Sequence, residues 1–397
     1  MAGETVHFGD YELDVSGLRL RRDGTDIRIE PRAFDLLCYL VTHRDRVVPK
    51  AELLTSVWGD LFVSEAALTT ALRTARLAIG DSGASQQAIR TVHRRGYQFV
   101  APVSTSRGHT APVSSGLDHQ AIRYCTAKDG ARIAFTSIGA GPPLLKAANW
   151  MSHLDLERTT PVWSHWINGL ARTRQLVRYD ERGSGLSDWT VPSCTFDDWV
   201  DDLETVVDAV GIDRFPLLGV SQGGAVAIAY ATRHPERVSR LILAGAYGRG
   251  RSVRARSDAE REEAVIDLDL ARIGWANQDP SFLQVFASQF LPDGTSQDWD
   301  DFTAFQRQTT SAANGIRFLE EFARIDVSAL APQVRCPTLI LHSRNETRVP
   351  AAQASELAAL IPDSRLVLLD SRNHLLTAAE PAWAEFLSHI DAFLAED

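Results

Sequence analysis

The sequence predicts an α/β protein in two parts: a small module of helices and short strands over residues 1–103, and a larger domain with a mostly parallel sheet over 120–397. Three observations predict this. The 397 residues exceed the length of one ordinary domain, which is typically about 100–200 residues. Residues 102–119 read PVSTSRGHTAPVSSGLDH, rich in Pro, Ser, Thr and Gly with no apolar periodicity, which marks 104–119 as a linker. Beyond it, short apolar strands alternate with helical stretches, the pattern of a parallel sheet.

Charge divides along the same line. The chain has a formal net charge of −10. Residues 1–110 hold 14 basic and 13 acidic side chains, and residues 65–110 alone hold 6 and 2. A local basic patch on an acidic protein is the footprint of a nucleic-acid module on an unrelated body, although a solvated charged face leaves the same trace. With 44% hydrophobic residues the chain is not a disordered one. No run reaches the about 18 apolar residues of a membrane span. The first residues lack the layout of a signal peptide. The four cysteines, Cys38, Cys125, Cys194 and Cys336, are far apart with no CxxC, so neither a disulfide framework nor a metal site is expected. A cytoplasmic protein without membrane association fits.

In the first part, residues 6–29 alternate apolar and polar in short runs broken at Ser16-Gly17 and Asp23-Gly24, a meander of small strands. A helix then carries Ala33, Phe34, Leu36, Leu37, Leu40 and Val41 on one face. A second, with Leu53, Leu54, Val57 and Trp58, ends at Gly59. Ser64 is a suitable N-cap for a third. There Leu68, Leu72, Ala75 and Ile79 form an apolar face, while Thr69, Arg73 and Arg76 form another, flanked by Thr70 and Thr74. A helix with a small polar and Arg face fits the DNA major groove, where Arg reads guanine edges or holds phosphates. Strands at 88–91 and 97–100 follow, joined by the basic turn His93-Arg94-Arg95-Gly96.

Over residues 5–103 this pattern resembles the OmpR/ToxR-type winged helix-turn-helix DNA-binding domain. The match includes Arg46-Val47-Val48, Glu52-Leu53-Leu54, Val57-Trp58-Gly59, Ser64, Leu68, Leu72-Arg73, Arg76, Ile89-Arg90-Thr91-Val92 and Gly96-Tyr97. The resemblance implies a recognition helix at 65–79 and a wing at 93–96. The DNA contacts would then come from Thr69, Thr70, Arg73, Thr74, Arg76, Thr91, His93, Arg94, Arg95 and Tyr97. His93 and Thr74 stand where the family usually has Arg, so base preference does not carry over. No receiver domain precedes the module, so phosphorylation is not the expected input.

In the second part, 122–137 reads as a strand pair turning at Lys128-Asp129-Gly130. Further strands are expected at 143–148, 175–179, 215–219, 241–245, 338–342 and 365–370. The sharpest motif is Gly219-Val220-Ser221-Gln222-Gly223-Gly224. Alone, G-x-S-x-G arises by chance in about one chain in ten of this length. Here it lies between an apolar strand and a small-residue helix, where a sharp turn projects the serine oxygen.

A serine nucleophile needs a base and a group to orient that base. His374, just after the last strand in Asp370-Ser371-Arg372-Asn373-His374, is the candidate base. The candidate acid is Glu346, in Ser343-Arg344-Asn345-Glu346-Thr347-Arg348-Val349-Pro350. Asn345 cannot carry charge, and Asp370 is the substitute.

Residues 120–397 resemble the α/β-hydrolase fold. Glu346 stands four residues before Pro350, where that family has Asp, and Asp180-Glu181-Arg182-Gly183-Ser184-Gly185-Leu186-Ser187 matches its D-x-R-G-x-G-x-S turn. The resemblance implies a Ser221, Glu346, His374 triad with oxyanion donors from the backbone N–H groups of Trp150 and Gln222. Ala148-Asn149-Trp150 replaces the His-Gly of relatives, which bears on the first donor.

Residues 248–330 are too long for a simple connection and hold Trp275, Phe282, Phe286, Phe290, Trp299, Phe302, Phe305, Phe318 and Phe322. They predict a helical cap over a mainly apolar pocket for a small carbonyl compound. A DNA reader joined to such a pocket is the layout of a ligand-responsive regulator. An active esterase- or lactonase-type serine hydrolase localised or autoregulated by its DNA module is the alternative. The expected partners are double-stranded DNA and a small effector or substrate, with no cofactor. A homodimer is expected because one winged helix reads a short site.

Overall fold

The computed structural model describes residues 5–8, 11–14, 19–22, 25–27, 29–44, 46–58, 65–83, 85–92, 95–101, 103–105, 120–276 and 281–396. The chain divides into two compact units, Met1–Val113 and Ser114–Asp397.

In the first unit, strands β1 (Thr5–Phe8), β2 (Tyr11–Asp14), β3 (Arg19–Arg22) and β4 (Thr25–Ile27) form the expected meander. A short β7 (Ser104–Thr105) pairs antiparallel with β1 and closes the sheet in the order β4-β3-β2-β1-β7. Helices α1 (Pro31–Thr42), α2 (Lys50–Trp58) and α3 (Glu65–Ala78) follow, then the hairpin β5 (Ile89–Val92) and β6 (Gly96–Phe99). Pro31 opens α1, where the missing N–H costs nothing. Leu36, Leu37 and Leu40 of α1 meet Leu68, Leu72 and Ala75 of α3 in one core, with Leu13, Leu20, Ile89 and Phe99 from the strands. Gly96 has φ +141°, and a Cβ there would meet the Val48 carbonyl oxygen at 2.0 Å, so only glycine lets the hairpin lie against the α1–α2 connection. The Ser64 cap, Gly59 and the turns at 16–17 and 23–24 lie outside the described residues.

The second unit is built on an eight-stranded sheet. Its strands are β8 (Arg123–Thr126), β9 (Arg132–Ile138), β10 (Pro143–Lys146), β11 (Gln175–Tyr179), β12 (Phe215–Val220), β13 (Val238–Ala244), β14 (Thr338–Ser343) and β15 (Ser364–Leu369). Their order is β15-β14-β13-β12-β10-β11-β9-β8, parallel from β15 to β11 and antiparallel at β9 and β8. The expected strand at 143–148 ends at Lys146, although the Ala147 N–H still donates to the Leu218 carbonyl at 2.8 Å. Leu217, Leu218, Leu241, Ile242, Leu243, Leu339 and Ile340 are buried, as strands covered on both faces must be. Helices α4 (Ser164–Ala171), α5 (Phe196–Val210), α6 (Gln222–Arg233), α12 (Ala351–Leu360) and α13 (Pro381–Ala395) flank the sheet.

Between β13 and β14 lie α7 (Arg251–Arg254), α8 (Asp258–Ala276), α9 (Ser281–Phe290), α10 (Ser296–Thr309) and α11 (Ala312–Arg324). Phe286, Phe302, Phe305 and Phe318 of this helical layer are fully buried. No helix among the described residues is long and apolar enough to cross a membrane.

Candidate active site and nucleic-acid interface

Strand β12 ends at Val220 and α6 starts at Gln222, so Ser221 alone makes the turn, at φ 54° and ψ −126°. A non-glycine residue held there stores strain, and the surroundings must hold it. They do so by close packing: a Cβ on Gly219 would lie 2.5 Å from the Gly224 Cα, and one on Gly224 would lie 2.4 Å from the Ala246 Cβ. The result is a half-buried serine whose Oγ sits 2.9 Å from His374 Nε2.

His374 Nδ1 donates to Glu346 Oε1, which also accepts the Val349 N–H at 2.9 Å. The carboxylate thus fixes the tautomer that leaves Nε2 free to take the serine proton. His374 is held by its own N–H on the Phe290 carbonyl at 2.8 Å and by the Phe290 ring at 5.5 Å. Asp370 is exposed, and the carboxylate against His374 is that of Glu346. Behind it, His342 Nε2 lies 3.4 Å from Glu346 Oε2 and donates to the Val349 carbonyl at 2.8 Å. Burial pushes the His342 pKa down, so this ring stays neutral beside the carboxylate.

The expected oxyanion position is partly taken. Gln222 opens α6, so its backbone N–H is an orphan donor of the helix start. The Trp150 N–H, however, donates to the Gln222 side-chain Oε1 at 3.0 Å. The Trp150 donor is therefore occupied, because the amide of the residue after the serine folds back over it. Gln222 Nε2 in turn donates to Glu181 Oε1 at 3.1 Å. Burial, with Asp202 and Asp180 nearby, pushes the Glu181 carboxyl up to about 8.

Glu181 belongs to the D-x-R-G-x-G-x-S turn, whose other members are structural. Asp180 Oδ2 accepts the Leu154 and Leu186 N–H groups at 3.1 and 2.8 Å. Arg182 pairs in two places with Asp202, at 2.7 and 2.6 Å.

A cavity of about 220 Å³ opens on Ser221 and Gln222, with Trp150, Tyr247, Phe290 and Phe322 among its walls. Most of the exposed lining is apolar, in line with the expected pocket, but a cationic side was not expected. Arg251, Arg254 and Arg348 also line it, because α7 and the loop after Glu346 turn their guanidinium groups inward. The run Arg249-Gly250-Arg251-Ser252-Val253-Arg254-Ala255-Arg256 inside an acidic domain was the signal for Arg251 and Arg254.

In the first unit, Thr69, Thr70 and Arg73 are exposed on α3 and Thr74 is half-buried. Arg76 departs from the expected contact face. It is buried, and Nη2 donates to the Ile89 carbonyl at 2.7 Å and to Thr91 Oγ1 at 3.0 Å. Its helix position turns it toward β5, where it ties the hairpin to α3. Tyr97 is likewise corrected: it is buried, and its backbone forms a two-way bridge with Val48 at 3.0 and 2.8 Å. Thr91 and Arg95 are exposed on the hairpin, and His93 and Arg94 lie outside the described residues.

Asp81 anchors the connection from α3 to β5. Burial alone would raise its carboxyl, but the N–H groups of Ile89, Ser82 and Gln87 and the Ser85 hydroxyl hold it down at about 2.

Residues 24–99 match the family described as "Transcriptional regulatory protein, C terminal", and residues 153–314 match "alpha/beta hydrolase fold". The chain is a fusion of a winged-helix DNA-binding domain with an α/β-hydrolase domain.

The chain is 29% identical over 290 aligned positions to the 2-hydroxymuconate semialdehyde hydrolase of Pseudomonas sp. (strain CF600), covering 67% of this chain and 92% of that protein. It is 26% identical over 267 residues to the pyrrolizixenacetamide deacetylase of Xenorhabdus hominickii, covering 67% and 96%. Among solved structures, an esterase from Exiguobacterium antarcticum shares the fold with a TM-score of 0.59 at 22% identity, over 69% of this chain and 99% of that one. The enol-lactonase of Burkholderia xenovorans LB400 does so with a TM-score of 0.55 at 22% identity, over 69% and 100%.

Proposed function

We propose that the protein is a transcription regulator whose hydrolase domain binds a small carbonyl compound and hydrolyses it slowly. The observation that carries the reading is the unbroken line from Ser221 Oγ through His374 to Glu346. A pure receptor has no chemical need for that line.

In the proposed reaction, Ser221 Oγ attacks the carbonyl carbon of an ester or lactone while His374 Nε2 takes the serine proton. Glu346 stabilises the resulting imidazolium without taking its proton. The carbonyl oxygen becomes an oxyanion facing the Gln222 N–H. Collapse breaks the bond to the leaving oxygen, which receives the proton from His374. Water, activated by the same histidine, then releases the acid and regenerates Ser221. With Trp150 N–H held by the Gln222 side chain, the oxyanion has one backbone donor fewer. Each such donor supplies about 3–4 kcal/mol to an acyl-transfer barrier, which supports slow turnover.

The regulatory half rests on the winged-helix domain, with Thr69, Thr70 and Arg73 on the exposed face of α3 and Thr91 and Arg95 on the hairpin. The chain acts as a homodimer in this reading, since one winged helix reads a short site.

The test is hydrolysis of p-nitrophenyl butyrate by the full chain, beside Ser221→Ala and His374→Ala. Turnover lost in both variants is the expected result. Turnover equal in all three proteins would overturn the enzymatic half of the proposal and leave a binding-only sensor.

A further inference from the structure

The cationic wall of the Ser221 cavity is not explained by hydrolysis of a neutral carbonyl compound. Arg251, Arg254 and Arg348 bring three guanidinium groups to it, and Asp267 is the carboxylate that Arg251 and Arg348 share. Arg348 Nη1 lies 2.9 Å from both Asp267 oxygens, and Arg251 Nη1 lies 3.2 Å from Oδ2. Arg254 makes no ion pair with Asp267. Its Nη2 donates to the Arg348 carbonyl at 3.2 Å, and its guanidinium sits 5.9 Å from the Tyr247 ring centre. Arg348 is flanked by the Phe286 and Phe290 rings at 4.9 and 4.8 Å, which fixes its plane.

The other charges on the cavity do not cancel this excess. Glu320 is engaged by Arg272 at 2.6 Å, and Arg324 adds a further cation at the exposed rim. Burial pushes the Arg251 pKa down to about 10, with Arg348 and Arg254 adding to the shift. Arg254 is pushed down by the same burial and by Arg348. Cations crowded together out of water favour an anion among them. Guanidinium groups present paired donors that match a carboxylate.

The arrangement also has a direction. Arg348 lies two residues after Glu346, so one loop presents both the acid of the serine line and a cation of the wall. A ligand with its carbonyl on Ser221 therefore has its far end within the same cavity as the arginines.

We propose that the ligand of this site carries a carboxylate at the end remote from its reactive carbonyl, and that Arg251, Arg254 and Arg348 hold that carboxylate. This rests on the reading of Ser221 as the reactive group and names the class of its ligand: a small keto-, ester- or lactone-bearing carboxylic acid. The arginine wall then selects for the acid over the neutral analogue.

The test uses two arylboronic acids, which form an O–B bond to Ser221 as its proton passes to His374. Binding of phenylboronic acid and 4-carboxyphenylboronic acid to the full chain is measured by calorimetry. The carboxylated probe is expected to bind about tenfold more tightly, the scale of a charge-assisted contact. In Arg251→Gln/Arg254→Gln the ratio of the two dissociation constants should fall to about one, and Arg251→Lys/Arg254→Lys should recover part of it. Circular dichroism on each variant checks that the domain is folded. Equal binding of both probes to the unaltered protein overturns the arginine assignment and leaves the serine site standing. Binding of neither overturns the serine reading and the arginine assignment together.

Discussion

The side-chain oxygen of Gln222 accepts a hydrogen bond from the backbone N–H of Trp150 at 3.0 Å. The contact joins the residue after the serine to the loop that was expected to complete the oxyanion position. It makes the Gln222 side chain a stopper on a donor the reaction would use.

Removing the stopper should therefore accelerate the reaction. Gln222→Ala keeps the backbone N–H at 222 and frees that of Trp150. The expected result is a rise in kcat for p-nitrophenyl butyrate of about tenfold or more, since one oxyanion donor is worth about 10²–10³ in rate. A fall in kcat would show that the amide is needed in place.

The acid is tested by contrast. Glu346→Gln leaves the loop length unchanged but removes the charge that stabilises the His374 imidazolium, and kcat should drop by at least about 10²-fold. Asp370→Asn, on the exposed side of the last strand, should change it less than about twofold. The reverse order would move the role to Asp370.

Two arginines on one helix should differ in how salt affects them. Arg73 is exposed on α3, whereas Arg76 is spent on Ile89 and Thr91. On a duplex selected with the full chain, Arg73→Ala should lower the slope of log K against log salt by about 1, the loss of one phosphate contact. Arg76→Ala should weaken binding with the slope unchanged and lower the melting temperature, because it loosens the hairpin. Equal slope changes would place Arg76 on the DNA as well.

The Glu181 carboxyl predicts a pH dependence of stability. Its folded pKa of about 8 lies above its ordinary value of 4.5, so the folded state holds a proton the unfolded state gives up. Its contribution is complete below the unfolded value and is lost as pH rises through the folded one. The melting temperature should fall as pH rises from about 4.5 to about 8, the window those two values define. Glu181→Gln, which preserves an acceptor for Gln222 Nε2, should flatten that fall. An unchanged profile would remove Glu181 as its source.

Much of this architecture was legible in the residues. The helices at Ala33–Val41 positions and on α3 announced themselves by apolar spacing, because a buried helix face needs a residue every three or four positions. The G-x-S-x-G turn was legible for a similar reason: only glycines permit the backbone approaches around Ser221. The acid was narrower, with Glu346 and Asp370 both near the ends of neighbouring strands. Chain order places both there, and only the loop path that brings Val349 N–H onto Glu346 separates them.

What the sequence by itself determined was the division into two folds, the strand and helix succession, and the serine and histidine candidates, all of which depend on local spacing and steric need. What only the tertiary structure decided was where long side chains end. Arg76 turns into the hairpin, Gln222 covers the Trp150 N–H, Arg251 and Arg348 meet at Asp267, and Arg254 reaches the Arg348 carbonyl. Each has several rotatable bonds, and its destination is set by partners 13 to 94 residues away in the chain: Ile89 from Arg76 at the near limit, Arg348 from Arg254 at the far one. Spacing along the chain carries no record of that choice, because hydrogen bonds and charges are matched only after the backbone has closed around them.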